Sequence, residues 1–135
     1  MNDMLNELPD TECWELLESR QFGRLAYHLL DEVHVAPINY AADRERSRLV
    51  FRSSEGSKVL GVVMHGDVAF EIDDVGEQQA WSVVARGRAS ILEGDPARET
   101  WDLPLRTWVG FDKYVVVAIN VTEVTGRRYD LVNKP

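Results

Sequence analysis

Strand-like segments separated by turn-forming residues run through most of this 135-residue chain, and they constrain its fold more than any other feature. In several of them apolar and polar residues alternate, which is typical of a strand with one buried face. Predicted strands cover residues 24–30, 33–42, 48–54, 68–73, 81–92 and 113–124. Because most connections between them are short, the pattern predicts a mainly β protein folded as a small antiparallel barrel.

Three short helices are predicted to flank the barrel. The first covers residues 11–19, with Asp10 or Thr11 as its N-cap. The second follows Ser57 and reaches about residue 65. The third begins at Asp95 as N-cap, with proline in its first turn, and stops before Pro104.

The composition is that of an ordinary globular protein, with 44% apolar and 28% charged residues. A chain of this length fits one domain, predicted here as residues 1–135. Its single cysteine, Cys13, cannot form an intrachain disulfide, and its acidic start lacks the features of a secretory signal. The longest apolar run, residues 115–119, is too short to cross a bilayer. We therefore expect a cytoplasmic protein that does not enter a membrane.

The formal net charge of −8 disfavours binding to nucleic acid or anionic lipid, because the long-range field repels phosphate. A phosphate-bearing ligand therefore needs a local cluster of donors. Residues 51–58 offer one, since they predict a strand, a glycine-containing turn and a helix start, where N–H groups bind anions. Ser57 is a suitable N-cap, Lys58 adds a charge, and Arg52 approaches from the strand. In the alternative interpretation Ser57 only caps the helix, and both cations are solvated.

Two further segments suit a planar ligand. Pro37 removes one ladder donor, so its strand is expected at an edge or beside a bulge, where Asn39 and exposed peptide groups can bind a heterocycle. Arg86 and Arg88 share one face of a predicted strand. They are interpreted either as surface charges, as an anion clamp, or as partners of carboxylates across a subunit interface. Between them, Gly87 permits a close approach by another backbone or by a flat ring.

Metal and nucleophilic chemistry find little support in the sequence. His28 and His34 are expected near each other across the first hairpin, but no third or fourth ligand has the spacing of a metal site. Cys13 is expected in the core rather than as a nucleophile. The sequence also contains no nucleophile elbow or other triad signature. We therefore predict no metal site.

Together these segments resemble the FMN-binding split barrels of the pyridoxamine 5'-phosphate oxidase-like superfamily, and within it the short proteins common in actinobacteria. The resemblance rests on the order and spacing of segments spread over most of the chain. These segments are residues 12–17, 23–26, 37–40, 49–53, 56–58, 68–71, 81–87 and 124–128. The resemblance implies a six-stranded antiparallel split barrel, a symmetric homodimer, and two FMN sites in the clefts between subunits.

The resemblance also implies which residues hold the cofactor. Those implied for the FMN phosphate are Arg52, Ser53, Ser54, Ser57 and Lys58. Those implied to contact the isoalloxazine ring through their backbone are Pro37, Ile38, Asn39 and Tyr40. Those implied to approach the ring, partly from the neighbouring subunit, are Trp81, Ser82 and Arg86.

The sequence departs from the family pattern at two places. Glu55 puts a carboxylate in the phosphate turn, where a small or apolar residue is more usual. Residues 127–129 lack the histidine that pyridoxamine phosphate oxidases use on their substrate, which disfavours the pyridoxal-forming reaction. The sequence therefore predicts an FMN-dependent oxidoreductase that acts on another small molecule. The alternatives are a non-catalytic binder or carrier of flavin, deazaflavin or haem, and a barrel without a ligand that serves in protein interaction.

Overall fold

The structure is a computed structural model, and it describes residues 6–53, 66–105 and 115–132. A helix, α1 (Asp10–Ser19), precedes the sheet, and a short helix, α2 (Asp95–Arg98), lies in the connector between the last two strands. Short 3-10 turns cover Arg44–Arg46 and Glu99–Asp102. The strands are β1 (Phe22–Leu29), β2 (Glu32–Asn39), β3 (Ala41–Asp43), β4 (Arg48–Ser53), β5 (Asp67–Val75), β6 (Gln79–Leu92) and β7 (Val115–Asp130).

The seven strands form one antiparallel sheet in the order β2-β1-β5-β6-β7-β4-β3. Its two edge strands, β2 and β3, are consecutive in the chain and are separated only by Tyr40. The sheet must therefore curl until its two edges meet at this residue. Beyond that point β2 and β4 contact each other without forming a ladder. The sheet is thus a split barrel, which is the fold that the sequence predicts.

Tyr40 fastens the point at which the two edges meet. Its buried ring packs edge-on against Phe70, with the ring centroids 4.6 Å apart. Its hydroxyl donates a hydrogen bond to the carbonyl oxygen of Leu17 in α1 at 2.6 Å, and its backbone N–H donates to Gln21 at 3.0 Å. Burial raises the pKa of the Tyr40 phenol, so the hydroxyl stays a neutral donor. One residue therefore joins α1, the sheet edge and the core.

The core lies between α1 and the inner face of the curled sheet. Cys13, Trp14 and Leu17 are buried on one side of α1, because residues three and four apart share a helix face. Cys13 is a core residue, as predicted. Burial raises the pKa of its thiol, which disfavours the reactive thiolate. The largest fully buried aliphatic and phenylalanine side chains of the strands are Phe70, Leu49, Ile72, Ile119, Val50, Val83 and Val117.

The structure corrects both predicted helix caps. The N-cap of α1 is Pro9, which makes no side-chain capping hydrogen bond. Asp10 lies instead in the first turn, where a carboxylate interacts favourably with the helix dipole. The N-cap of α2 is Gly94 rather than Asp95. Gly94 has a φ of 62°, a conformation that glycine adopts without strain.

Two strand predictions also change. The segment predicted as one strand, residues 33–42, forms β2 and β3 because Tyr40 leaves the ladder, so seven strands replace six. β7 continues to Asp130, beyond the predicted end at residue 124, and pairs with β6 as far as Gln79. The predicted helix after Ser57 lies outside the described residues. No helix in the described part of the chain is long and apolar enough to cross a membrane.

Candidate functional site

The end of β4 carries those residues of the predicted phosphate site that the structure describes. Arg52 and Ser53 lie opposite Val116 and Val115 of β7. The Arg52 side chain is partly buried, and its Nη1 donates a hydrogen bond to the carbonyl oxygen of Leu105 at 3.3 Å. The guanidinium therefore lies against the connector that follows α2. The other predicted phosphate ligands, Ser54, Ser57 and Lys58, lie outside the described residues.

The predicted ring contacts lie on β2, which is an edge strand, as its proline predicts. Pro37 is exposed, Ile38 packs against the core, and Asn39 is half-buried at the end of the strand. The N–H of Tyr40 is bonded to Gln21, so this donor is not available to a ligand. Among the described strands only β1 pairs with β2, and an edge strand directs half of its peptide groups away from its neighbour. Residues 37–39 therefore offer both peptide groups and an amide side chain.

The register brings these two groups to one opening. Ala41 pairs with Val50 in the β3–β4 ladder, so continuing that antiparallel register by two residues places Asn39 across from Arg52. β2 leaves the ladder there but still contacts β4. Asn39 and Arg52 thus lie on the two sides of the split, the opening between β2 and β4. A guanidinium with an amide and nearby peptide groups is a donor set suited to a phosphate and to the polar edge of a heterocycle.

The third predicted group lies on β6, and its side chains divide between the two faces. The inward residues are buried, which confirms the predicted alternation: Val83, Ala85, Gly87 and Ala89. Trp81 lies on the same inner face and packs against the core, with the Arg20 guanidinium 5.2 Å from its ring centroid. Ser82 and Arg86 face outward, and Arg86 forms an exposed ion pair with Glu123 at 3.8 Å.

Within one chain the β6 group lies far from the Arg52 side of the split. Arg52 pairs with Val116, which pairs with Leu92, so Arg52 and Leu92 lie at one level of the sheet. Along β6, Arg86 is six residues from Leu92, about 20 Å at the usual rise of a strand. Ser82 is ten residues away, about 33 Å. On the other side of the split, Pro37 pairs with Arg24, Arg24 with Glu71 and Glu71 with Val84, so β2 lies only three strands, about 14 Å, from the part of β6 that carries Ser82 and Arg86. Within one chain the β6 group therefore lies nearer to β2 than to Arg52.

Gly87 lies at a β-bulge, where the close approach of the β7 backbone requires a residue without a side chain. Arg86 pairs with Glu123 but Gly87 pairs with Val121, so Thr122 is an extra residue in β7. A Cβ built on Gly87 would overlap the backbone carbonyl oxygen of Asn120. The predicted close approach at Gly87 is therefore made by the backbone of β7.

The histidines of the first hairpin lie on opposite faces of the sheet. His34 pairs with Tyr27 and stacks on its ring, with the centroids 5.6 Å apart. His28 pairs with Val33 and is exposed. The expectation that the two histidines lie close enough for a shared ligand is therefore wrong. Within the described ranges, no group of three or more metal-ligating side chains is placed to hold an ion.

The part of the chain that matches a known protein family includes the split and almost the whole sheet. The family model for pyridoxamine 5'-phosphate oxidase matches residues 9–128. The chain belongs to this family. The match includes α1, both sides of the split, and every strand except the last two residues of β7.

Three similar proteins come from Mycobacterium and Corynebacterium species. A FAD-binding protein from Mycobacterium smegmatis is 31% identical and superposes with a TM-score of 0.80, covering 93% of this chain and 98% of that one. A Corynebacterium glutamicum protein that carries the family's name is 35% identical, with a TM-score of 0.82 and the same coverage of 93% and 98%. An uncharacterised protein of Mycobacterium tuberculosis is 34% identical over 88 residues, 64% of this chain and 80% of that one. The resemblance read from the sequence is confirmed.

This pyridoxamine 5'-phosphate oxidase family member also carries a charged cluster that the sequence did not reveal. Arg24 Nη2 lies 2.5 Å from Glu71 Oε1 and 2.9 Å from Asp73 Oδ2 on the outer face of the sheet. Partial burial raises the pKa of the Glu71 carboxyl. The hydrogen bond between the two carboxyl groups lowers the pKa of Asp73. A proton shared by the pair therefore resides on Glu71. Arg24 is also the cross-strand neighbour of Pro37. The cluster therefore lies beside the strand predicted to contact the ring.

A groove of about 400 Å³ crosses the outer face of the sheet next to this cluster. Its floor includes Ala26 and Ala69, which pair with each other, and Ala69 pairs in turn with Arg86. Arg86 and Glu123 line one side, and Val33 lines the other. Two small residues at facing positions of β1 and β5 are the only sequence signal of this groove, and it becomes visible only once the strands are paired.

Proposed function

We propose that this protein is a homodimeric, flavin-dependent oxidoreductase whose cofactor lies at the split. The observation that carries the proposal is the β3–β4 register, which sets Asn39 across from Arg52 when it is continued two residues beyond its last pair, together with the contact between β2 and β4. Membership of the oxidase family and similarity to the FAD-binding protein of M. smegmatis support a flavin. The acidic chain needs local donors for a phosphate, and Arg52 with Ser53 supplies them. Ser54, Ser57 and Lys58 complete the phosphate site in this proposal.

In the proposed site, the residues of the chain bind and orient the cofactor. The planar guanidinium of Arg52 offers charged N–H donors that match a phosphate. Peptide groups of Pro37, Ile38 and Asn39 contact the polar edge of the flavin ring, so ring recognition depends on the backbone of an edge strand. The flavin itself supplies the electron-transfer chemistry. The proposed substrate is a small molecule that reaches the ring.

Two flavins fit the proposal. FMN is the cofactor that the sequence resemblance implies, and it contains the phosphate for which Arg52 is suited. FAD is the second candidate, because the M. smegmatis protein that superposes over 93% of this chain is a FAD-binding protein. Both contain the same riboflavin 5'-phosphate group, so the proposed contacts at Arg52 and β2 are common to them.

FMN is expected to bind at least tenfold more tightly than riboflavin. The two ligands differ only in the phosphate, and a hydrogen bond to a charged group contributes roughly 1.5–3 kcal/mol, where 1.4 kcal/mol is tenfold. Quenching of flavin fluorescence during titration of the apo-protein measures both affinities. Equal affinities would separate the cofactor from Arg52 and contradict the site.

The protein is expected to be a dimer in solution, because the family resemblance implies a cofactor site that a second subunit completes. The outer face also exposes Val33 and Val35, each 66% accessible, and a stable dimer would bury them in an interface of roughly 2,000 Å². Light scattering should give twice the 15.4 kDa mass of the chain at micromolar concentration. A monomer under these conditions would contradict the homodimeric site.

A further inference from the structure

Trp101 is the most exposed aromatic side chain of the described residues, with 61% of its surface accessible. It lies on the 3-10 turn that follows α2, and its neighbour Thr100 anchors that turn. Thr100 is fully buried, and its hydroxyl donates a hydrogen bond to the carbonyl oxygen of Ala97 at 2.6 Å. The N–H of Leu103 donates to the carbonyl of Thr100 at 3.0 Å. The turn therefore holds the indole at the surface by ordered local contacts.

The exposed indole borders a groove of about 380 Å³, within the range of small-molecule sites. The groove is lined by apolar residues, Leu92, Ala97, Val115 and Val116, and by the polar residues Glu93 and Arg98 at its rim. Arg98 forms an ion pair with Asp95 on α2. An aromatic wall, an apolar floor and a few polar groups suit a flat heteroaromatic ring.

The groove continues directly from Arg52. Val116 lines the groove and is the cross-strand partner of Arg52 in β4. Leu92, which also lines the groove, is the partner of Val116 in β6, so the three residues form one row across the sheet. Adjacent strands are about 4.8 Å apart, so the row from Arg52 to Leu92 spans about 10 Å. Directly paired residues share one face of a sheet, so these three side chains point to the same side. The hydrogen bond from Arg52 to Leu105 places the guanidinium on that side too.

We propose that this groove binds the adenine ring of FAD, stacked on Trp101. The inference rests on the proposed flavin site, because it takes Arg52 as the position of the phosphate. A second phosphate and a ribose extend the ligand from Arg52 along the row toward Leu92. The adenine then lies on the apolar floor, and Glu93 accepts a hydrogen bond from its exocyclic amine. The groove thereby selects the dinucleotide over FMN.

The test compares FAD and FMN binding to the apo-protein and to two variants. The parent is expected to bind FAD at least tenfold more tightly than FMN. Trp101→Ala should lower the affinity for FAD to that for FMN and leave FMN affinity within twofold of the parent. Tyr129→Ala is the matched control, because it removes an exposed aromatic ring near the far end of β7. This control should keep the preference for FAD.

The other outcomes separate the inference from the proposed function. If the parent binds FAD and FMN equally, or if Trp101→Ala weakens both flavins alike, the adenine site is wrong while the flavin site stands. If the parent binds neither flavin, the proposed function fails and the adenine site fails with it. If Trp101→Ala converts a dimer into a monomer by light scattering, Trp101 is a contact between copies and the inference is overturned.

Discussion

Replacing Gly87 with alanine is expected to destabilise the protein by about 3 kcal/mol, at the upper end of the usual range for overpacking. The added Cβ would overlap the carbonyl oxygen of Asn120, and it would also lie 3.0 Å from the Cα of Val121. Both atoms belong to the backbone of β7, so no side-chain rotation relieves the contact. The bulge at Thr122 already fixes the local path of that strand, so relief requires a shift of the β6–β7 ladder itself.

Chemical denaturation of Gly87→Ala and of a matched glycine variant tests this expectation. Gly66→Ala is the control, because a Cβ at that position meets no heavy atom of the described residues within 4 Å. Its free energy of unfolding should stay within about 0.5 kcal/mol of the parent. If Gly87→Ala is as stable as Gly66→Ala, the close approach of β6 and β7 at the bulge is wrong. The assignment of Thr122 as the extra residue then fails with it.

The strands could be predicted from sequence because their signal is local. Val83, Ala85, Gly87 and Ala89 alternate with polar or larger residues, and their burial follows from that alternation alone. The end of β7 was missed for the same reason. Residues 125–130 are mostly polar, and they form a strand only because β6 pairs with them as far as Gln79. The break at Tyr40 was also missed, since its partners Leu17 and Gln21 are distant in sequence.

The candidate site could be predicted only in pieces. The sequence resemblance indicated Arg52 and Asn39 separately, but only the β3–β4 register places one across from the other. The cluster of Arg24, Glu71 and Asp73 joins residues about 47 positions apart, and no local pattern predicts that pairing. Strand order is a property of the whole sheet and has no local signature. The single domain over residues 1–135 and the cytoplasmic location stay predictions.

Replacing Arg52 with alanine is expected to weaken FMN binding roughly 10- to 150-fold, the effect of losing one hydrogen bond to a charged group. Arg52→Lys should fall between the parent and the alanine variant, because lysine keeps the charge but loses the planar fork of donors. Arg44→Ala is the control. It also removes an arginine, but Arg44 lies on a different loop and forms an exposed ion pair with Glu18 at 3.3 Å. This control should bind FMN as the parent does.

Arg52 also donates to Leu105, so the alanine variant is expected to melt at a lower temperature even without a ligand. The decisive quantity is therefore the rise in melting temperature on adding FMN, measured for each variant against its own apo-protein. A ligand that binds only the folded state stabilises it by an amount that depends on its dissociation constant. At one fixed FMN concentration the rise should be largest for the parent and Arg44→Ala, smaller for Arg52→Lys and smallest for Arg52→Ala. An equal rise in all four proteins would mean that Arg52 only holds the connector after α2 in place and does not bind the phosphate. The phosphate would then have to bind at a site other than the end of β4.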